Sequence, residues 1–123
     1  MFNARERLKN FQNGVGVLMN ENPETTKALM GFVGASLAKD ALTIREKELV
    51  AIGISVHTGC EDCIAVHTYK ALEAGCTRKE IIEASGVAIM LGGGPVLGAS
   101  ASLLVSALNE FEKDFSGKGS ASA

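Results

Sequence analysis

Positive charge is in short supply. Twelve Lys and Arg are outnumbered by fourteen Asp and Glu, for a formal charge of −2 over 123 residues. No basic field is available to hold a phosphate backbone, which excludes nucleic acid as the expected partner. Cysteine is scarce and odd in number: Cys60 and Cys63 form a C-x-x-C, and Cys76 stands apart. That is poor material for a disulfide framework. The first ten residues, MFNARERLKN, lack an apolar run; they do not read as a secretory signal, and a reducing cytoplasm is the expected setting. There a C-x-x-C is more often catalytic or metal-binding than structural.

Charge is absent altogether from Ala84 to Asn109, a span long enough to cross a bilayer. However, Gly92-Gly93-Gly94-Pro95 interrupts it, no basic cluster flanks it, and much of it is Ala, Ser and Gly. It reads as a pair of helices buried on most sides, with no membrane association. In a chain this small, part of that surface is expected to meet other subunits. With 46% hydrophobic and 21% charged residues, the composition is that of a folded protein. One domain is expected over 1–115, and the SGKGSASA segment, 116–123, reads as a mobile tail.

Val and Ile fall in helix-length segments without the period-two alternation of strands, so the fold class is all-α. Asn22-Pro23 sets a capping residue before a proline at the first helical position. Three Thr-x-x-Glu boxes follow, at Thr43/Glu46, Thr58/Glu61 and Thr77/Glu80. In each, the Thr hydroxyl can accept from an orphan amide while the Glu reaches back to the cap's own amide. Six helices are predicted, over 3–13, 23–38, 44–57, 59–74, 78–91 and 95–113, with Gly75 closing the fourth and 92–94 forming a tight junction.

Glu48, Cys60, Cys63 and His67 are the residues with chemistry to offer. At 100° per residue, Cys60, Cys63 and His67 fall at 0°, about −60° and about −20°, on one face of the fourth helix. Residues three apart on a helix have Cα atoms roughly 5 Å apart, within the reach of a disulfide. The short link at Thr58-Gly59 favours an antiparallel hairpin. Glu48 lies about 13 Å before that turn and His67 about 12 Å after it, so the two come out level. Glu48 is set in the apolar run ELVAIGISV, where a lone carboxylate is costly without a donor, and His67 is the nearest candidate.

A thiol near pKa 8.5 is mostly protonated at neutral pH, so a neighbouring base matters. His67 can take the proton of Cys63 while Glu48 orients the imidazole, the logic of a Cys–His–acid relay. A sulfenic acid on Cys63 can then condense with Cys60, one turn away. Cys60, placed near the second helical position, has more of the helix dipole, whereas Cys63 has the nearer base and is the expected nucleophile. Glu61 and Asp62 lie between the thiols and oppose thiolate formation. Two alternatives stand: a metal-binding or assembly module using the two thiolates, the imidazole and Glu48, and a non-redox enzyme using Glu48 and His67 for proton transfer. Cys76 and Met19, Met30 and Met90 read as packing residues, and His57 and Tyr69 as helix-end or surface groups.

The E-x11-C-x2-C-x3-H pattern, with the Gly-rich junction and the helix after it, resembles the alkyl hydroperoxidase D family within the carboxymuconolactone decarboxylase-like superfamily. The resemblance covers roughly Ala41 to Phe111. It implies an all-helical fold and a thiol-dependent peroxidase or disulfide reductase, with no metal or organic cofactor. It also implies a hydroperoxide substrate, an external dithiol reductant of lipoyl or thioredoxin type, and a homo-oligomer, trimeric or hexameric. By position, Cys63 would attack peroxide, Cys60 would resolve the product and face the reductant, and Glu48 with His67 would relay protons. The best-known peroxidase of that family also has a His inside the C-x-x-C, where this chain has Asp62.

Overall fold

The computed structural model describes residues 1–116; of the expected tail, all but Ser116 lies outside the described residues. Every element in that span is helical. In chain order they are α1 (Ala4–Glu21), α2 (Pro23–Leu37), α3 (Ile44–Thr58), α4 (Glu61–Glu73), α5 (Arg78–Gly92) and α6 (Gly94–Ala99). A π-helical turn (Ser100–Leu104), α7 (Val105–Phe111) and a 3-10 turn (Glu112–Phe115) follow.

The helix starts follow from local chemistry. Thr43 and Thr77 form complete capping boxes with Glu46 and Glu80, and the Asn3 side chain accepts from the Glu6 amide to start α1. Asn22 occupies the capping position before Pro23 but makes no side-chain cap bond. α1 runs eight residues past its expected end at 13, to Glu21. A Cβ at Gly14 or Gly16 would meet nothing within 4 Å; these glycines lower helix propensity by about 1 kcal/mol each without breaking the helix.

At the end of α4 the Gly75 amide donates to Leu72 and the Cys76 amide to Ala71, with Gly75 at φ +95°. This is a Schellman closure, which needs the left-handed conformation that glycine tolerates. The Gly92–Gly94 junction is as tight as expected, with Gly93 at φ +73° ending α5 and opening α6. The single last helix expected over 95–113 is instead divided by the π turn.

α3 packs against both α4 and α5, and α4 is flanked on its other sides by α1 and α7. The core between them contains Ile52, Val56, Ile64, Ala65, Ile81, Leu104, Leu108 and Phe111. Tyr69, read from the sequence as a surface or helix-end group, is half-buried and packs edge-on against Phe111 and Phe115. The amide of Ala4 donates to Glu110 at 2.6 Å and Arg5 pairs with Asp114 at 3.0 Å, which fastens the start of α1 to α7 and the 3-10 turn after it.

The charge-free stretch is less enclosed than expected. α5 buries Ile81, Ser85 and Ala88 on one stripe, while Val87, Met90, Leu91 and Leu97 are exposed. Met90 and Met30 therefore lie outside the core, and Met19 is half-buried. α2 buries no residue at all. Among the described residues no helix is long and apolar enough to cross a membrane.

Candidate active site

The site forms where α3 hands over to α4. The Gly59 amide donates to Val56 and the Cys60 amide to Ser55, with Gly59 in the left-handed conformation at φ +69°. This closure corrects the expected Thr58/Glu61 box. Thr58 stays in the last turn of α3, where its hydroxyl donates to Ile54 and Ser55. The cap of α4 is Cys60 itself, whose sulfur accepts from the Cys63 amide at 3.2 Å. Cys60 is thus half outside the helix instead of at its second position, and Cys63 occupies the third. As the cap, Cys60 keeps the advantage expected from the helix dipole, because its sulfur accepts one of the unpaired first-turn amides.

Cys60 and Cys63 nonetheless meet. Their sulfurs are joined, with Cα atoms 5.2 Å apart, and both residues are half-buried. One turn beyond Cys63, His67 directs Nδ1 at Glu48 Oε1 at 2.8 Å across the hairpin. Glu48 is only 2% exposed, and the imidazole retains 21% of its surface. The expected antiparallel hairpin and its level pairing are both present. Neither Arg45 nor Lys47 takes Glu48: Arg45 pairs with Glu80 at 2.6 Å, and Lys47 donates to the carbonyls of Ser36 and Ala38.

With Nδ1 committed to Glu48, the other ring nitrogen of His67 is left for proton exchange, an arrangement in which a carboxylate fixes the tautomer. Cys76 is set apart from this cluster. It is 2% exposed, it is a free thiol, its sulfur donates weakly to the Arg45 carbonyl at 3.7 Å, and burial pushes its pKa up. Among the described residues no three His, Cys, Asp or Glu side chains are grouped as a metal site would require.

Two contacts of these helices were not legible in the sequence. Arg7 of α1 pairs with Glu61 at 2.5 Å and with Asp62 at 3.4 Å; a contact between residues 54 apart leaves no local signal. His57, in the last turn of α3, lies against Gly92, where a Cβ would come within 3.0 Å of the imidazole.

The model of the carboxymuconolactone decarboxylase family matches residues 23–105, which include Glu48, Cys60, Cys63 and His67. The chain belongs to the carboxymuconolactone decarboxylase family. An uncharacterised protein of Cupriavidus necator is 33% identical over 91 residues, covering 74% of this chain and 80% of the relative. A carboxymuconolactone decarboxylase family protein from Legionella pneumophila, solved in its apo form, has a TM-score of 0.81 at 29% identity. That likeness covers 89% of this chain and 95% of the other. A further fold match, described as a carboxymuconolactone decarboxylase from Burkholderia xenovorans, has a TM-score of 0.73 at 24% identity, covering 94% and 98% of the two chains. The resemblance to alkyl hydroperoxidase D falls within this superfamily, and this family member shares its helical fold.

Proposed function

We propose that the protein is a dithiol oxidoreductase that reduces hydroperoxides through a Cys60–Cys63 disulfide and is returned to the dithiol by an external dithiol donor. The observation that carries this reading is the joined Cys60–Cys63 pair at the first turn of α4, one turn from an imidazole already held by a buried carboxylate.

His67 takes the proton of the Cys63 thiol, and the thiolate attacks the terminal oxygen of ROOH. An S–O bond forms, the O–O bond breaks, and the imidazolium protonates the departing alkoxide to give ROH. Cys60 then attacks the sulfenic sulfur; the S–S bond forms and the hydroxyl leaves as water with the Cys60 proton. A donor dithiol reduces the disulfide by exchange and leaves as its own disulfide. Glu48 holds the imidazole's orientation and stabilises its charged form.

We further infer a homo-oligomer. Leu29, Met30 and Phe32 stand exposed on α2. A groove of about 670 Å³ between α3 and α5 is lined by apolar side chains that include Val50, Ile54, Val87 and Leu91. Apolar surface on this scale is a feature of association faces.

The test is peroxide turnover with a dithiol reductant in Cys63→Ser and Cys60→Ser. Turnover vanishes in both, and dimedone labels a persistent sulfenate only in Cys60→Ser. Unchanged rates in both variants would overturn the redox reading. Lactone decarboxylation surviving in both would move the role to Glu48 and His67 as acid–base groups.

A further inference from the structure

We propose that Arg7 is a positioning residue of the dithiol site: it offsets part of the negative charge of Glu61 and Asp62, the two carboxylates set between the thiols, and so lowers the free-energy cost of forming the Cys63 thiolate. This rests on the dithiol reading above. Glu61 and Asp62 are the first two residues of α4. Acidic groups there suit the positive end of the helix dipole, but each opposes a further negative charge developing on Cys63 in the same turn. The guanidinium of Arg7 meets both, one nitrogen on Glu61 and the other on Asp62. A planar fork can hold two carboxylates in this way, and a point-charge ammonium does so less well.

Arg7 is also held in place. Ala4, one turn earlier, is fully buried, and the amides of Ala4 and Arg5 donate to Glu110. α1 therefore presents Arg7 to α4 from an anchored end. The surroundings offer little other charge. His67 and Glu48 already form the relay, and Lys70 and Glu73 lie about two turns or more beyond Cys63 on α4. α5 carries its charges before Ala84, on the side where Glu80 takes Arg45. α6, the π turn and the start of α7 contribute none, since 84–109 is free of charge. At the far end of α7 and in the 3-10 turn, Arg5 takes Asp114 and Arg78 takes Glu112. Among the described residues, no cation besides Arg7 is ion-paired to Glu61 or Asp62. The family match begins at residue 23, so this device is supplied by a part of the chain outside it.

The experiment measures thiol acidity in the reduced full-length protein, from thiolate ultraviolet absorbance and from the pH dependence of iodoacetamide alkylation mapped to Cys60 and Cys63. Neither readout requires a peroxide substrate. Arg7→Ala is expected to raise the Cys63 pKa by about 0.5–1 unit at low ionic strength, slowing alkylation at neutral pH roughly 3- to 10-fold. In about 1 M salt the difference shrinks to less than about twofold, as screening requires. Arg7→Lys retains most of the effect. The triple variant Arg7→Ala/Glu61→Gln/Asp62→Asn, with no charge left at the three positions, returns the Cys63 pKa to wild type or below, a rescue that a role confined to docking α1 would not produce. Glu61→Gln/Asp62→Asn with Arg7 intact lowers the Cys63 pKa below wild type and tests the same coupling should Arg7→Ala fold poorly. An unchanged Cys63 pKa in Arg7→Ala, or a triple variant as slow as the single one, overturns the proposal. A shifted pKa without peroxide turnover would leave Arg7 its role and remove only the peroxidase reading.

Discussion

Glu48 Oε1 and His67 Nδ1 lie 2.8 Å apart across the α3–α4 hairpin, and the carboxylate is sealed from solvent while the ring is not. The two members of the pair therefore differ in what their loss costs. Glu48→Leu removes a buried charge, fills its volume with hydrocarbon, and leaves an imidazole that can turn to water; stability is expected to stay within about 1 kcal/mol of wild type. His67→Leu strands a carboxylate in the core and is expected to cost about 3 kcal/mol or more. Urea denaturation of the two variants measures the asymmetry. On the proposed dithiol mechanism, peroxide turnover is expected to fall about 10- to 100-fold in Glu48→Leu, which would lose the orienting group, and about 100-fold or more in His67→Leu, which would lose the base.

Peroxide titration followed by intact and peptide mass spectrometry is expected to link Cys60 to Cys63 and to leave Cys76 as a thiol. The first two are joined and half-buried at a helix start, whereas Cys76 is enclosed and its thiol is made less acidic by burial. Susceptibility to oxidation follows thiolate character and exposure. Alkylation of Cys76 should require denaturant. Its modification in the native protein at a rate matching Cys63 would contradict the enclosed position.

The hairpin was legible because each part of it depends on local chemistry. Thr43-x-x-Glu46 marks where α3 begins, the short link forces α4 back alongside, and helical rise then brings Glu48 level with His67. The start of α4 departs from its sequence pattern, since Thr58-x-x-Glu61 has the residues of a capping box but Cys60 is the cap. Gly59 overrides it by taking the left-handed closure of α3, which keeps Thr58 helical and passes the cap to Cys60. α1 was expected to stop at 13; Asn13-Gly14 lies on an exposed face where nothing penalises the glycine. Arg7 could not be found from periodicity, since its pairing with Glu61 and Asp62 is fixed by how α1 docks and not by spacing along the chain. Met30 and Met90 are exposed, because apolar character does not tell a core face from one turned outward.

Glu80 joins two helices and carries a pH signature. Its carboxylate accepts from the Thr77 amide and from Arg45, and these bonds hold its pKa below the ordinary carboxylate value. A depressed carboxyl adds stability that is present above its unfolded pKa and is lost as pH falls through the folded one. Glu80→Gln is therefore expected to destabilise by about 1 kcal/mol at neutral pH, allowing for solvent screening of the half-exposed pair. The difference from wild type should narrow as pH falls below about 4. Chemical denaturation of both proteins across that range checks the sign; a gap that widened toward acid would contradict it.

Gly92 and Gly86 sit on the same helix with opposite surroundings. A Cβ on Gly92 would stand 2.3 Å from Val96 Cγ2 and 3.0 Å from the His57 ring, while one on Gly86 meets nothing within 4 Å. Val96 is 3% exposed and cannot move outward freely. Gly92→Ala is accordingly expected to cost about 1–3 kcal/mol, the scale of overpacking a filled site. Gly86→Ala should be neutral or stabilising by up to about 1 kcal/mol through helix propensity. Because the clash has two sources, His57→Ala should relieve it only in part, whereas Val96→Ala combined with Gly92→Ala should recover more than either single change predicts. Thermal or urea midpoints for the set measure this coupling. Full rescue by His57→Ala alone would show that the imidazole, and not the buried valine, fixes how closely α6 turns back on α5.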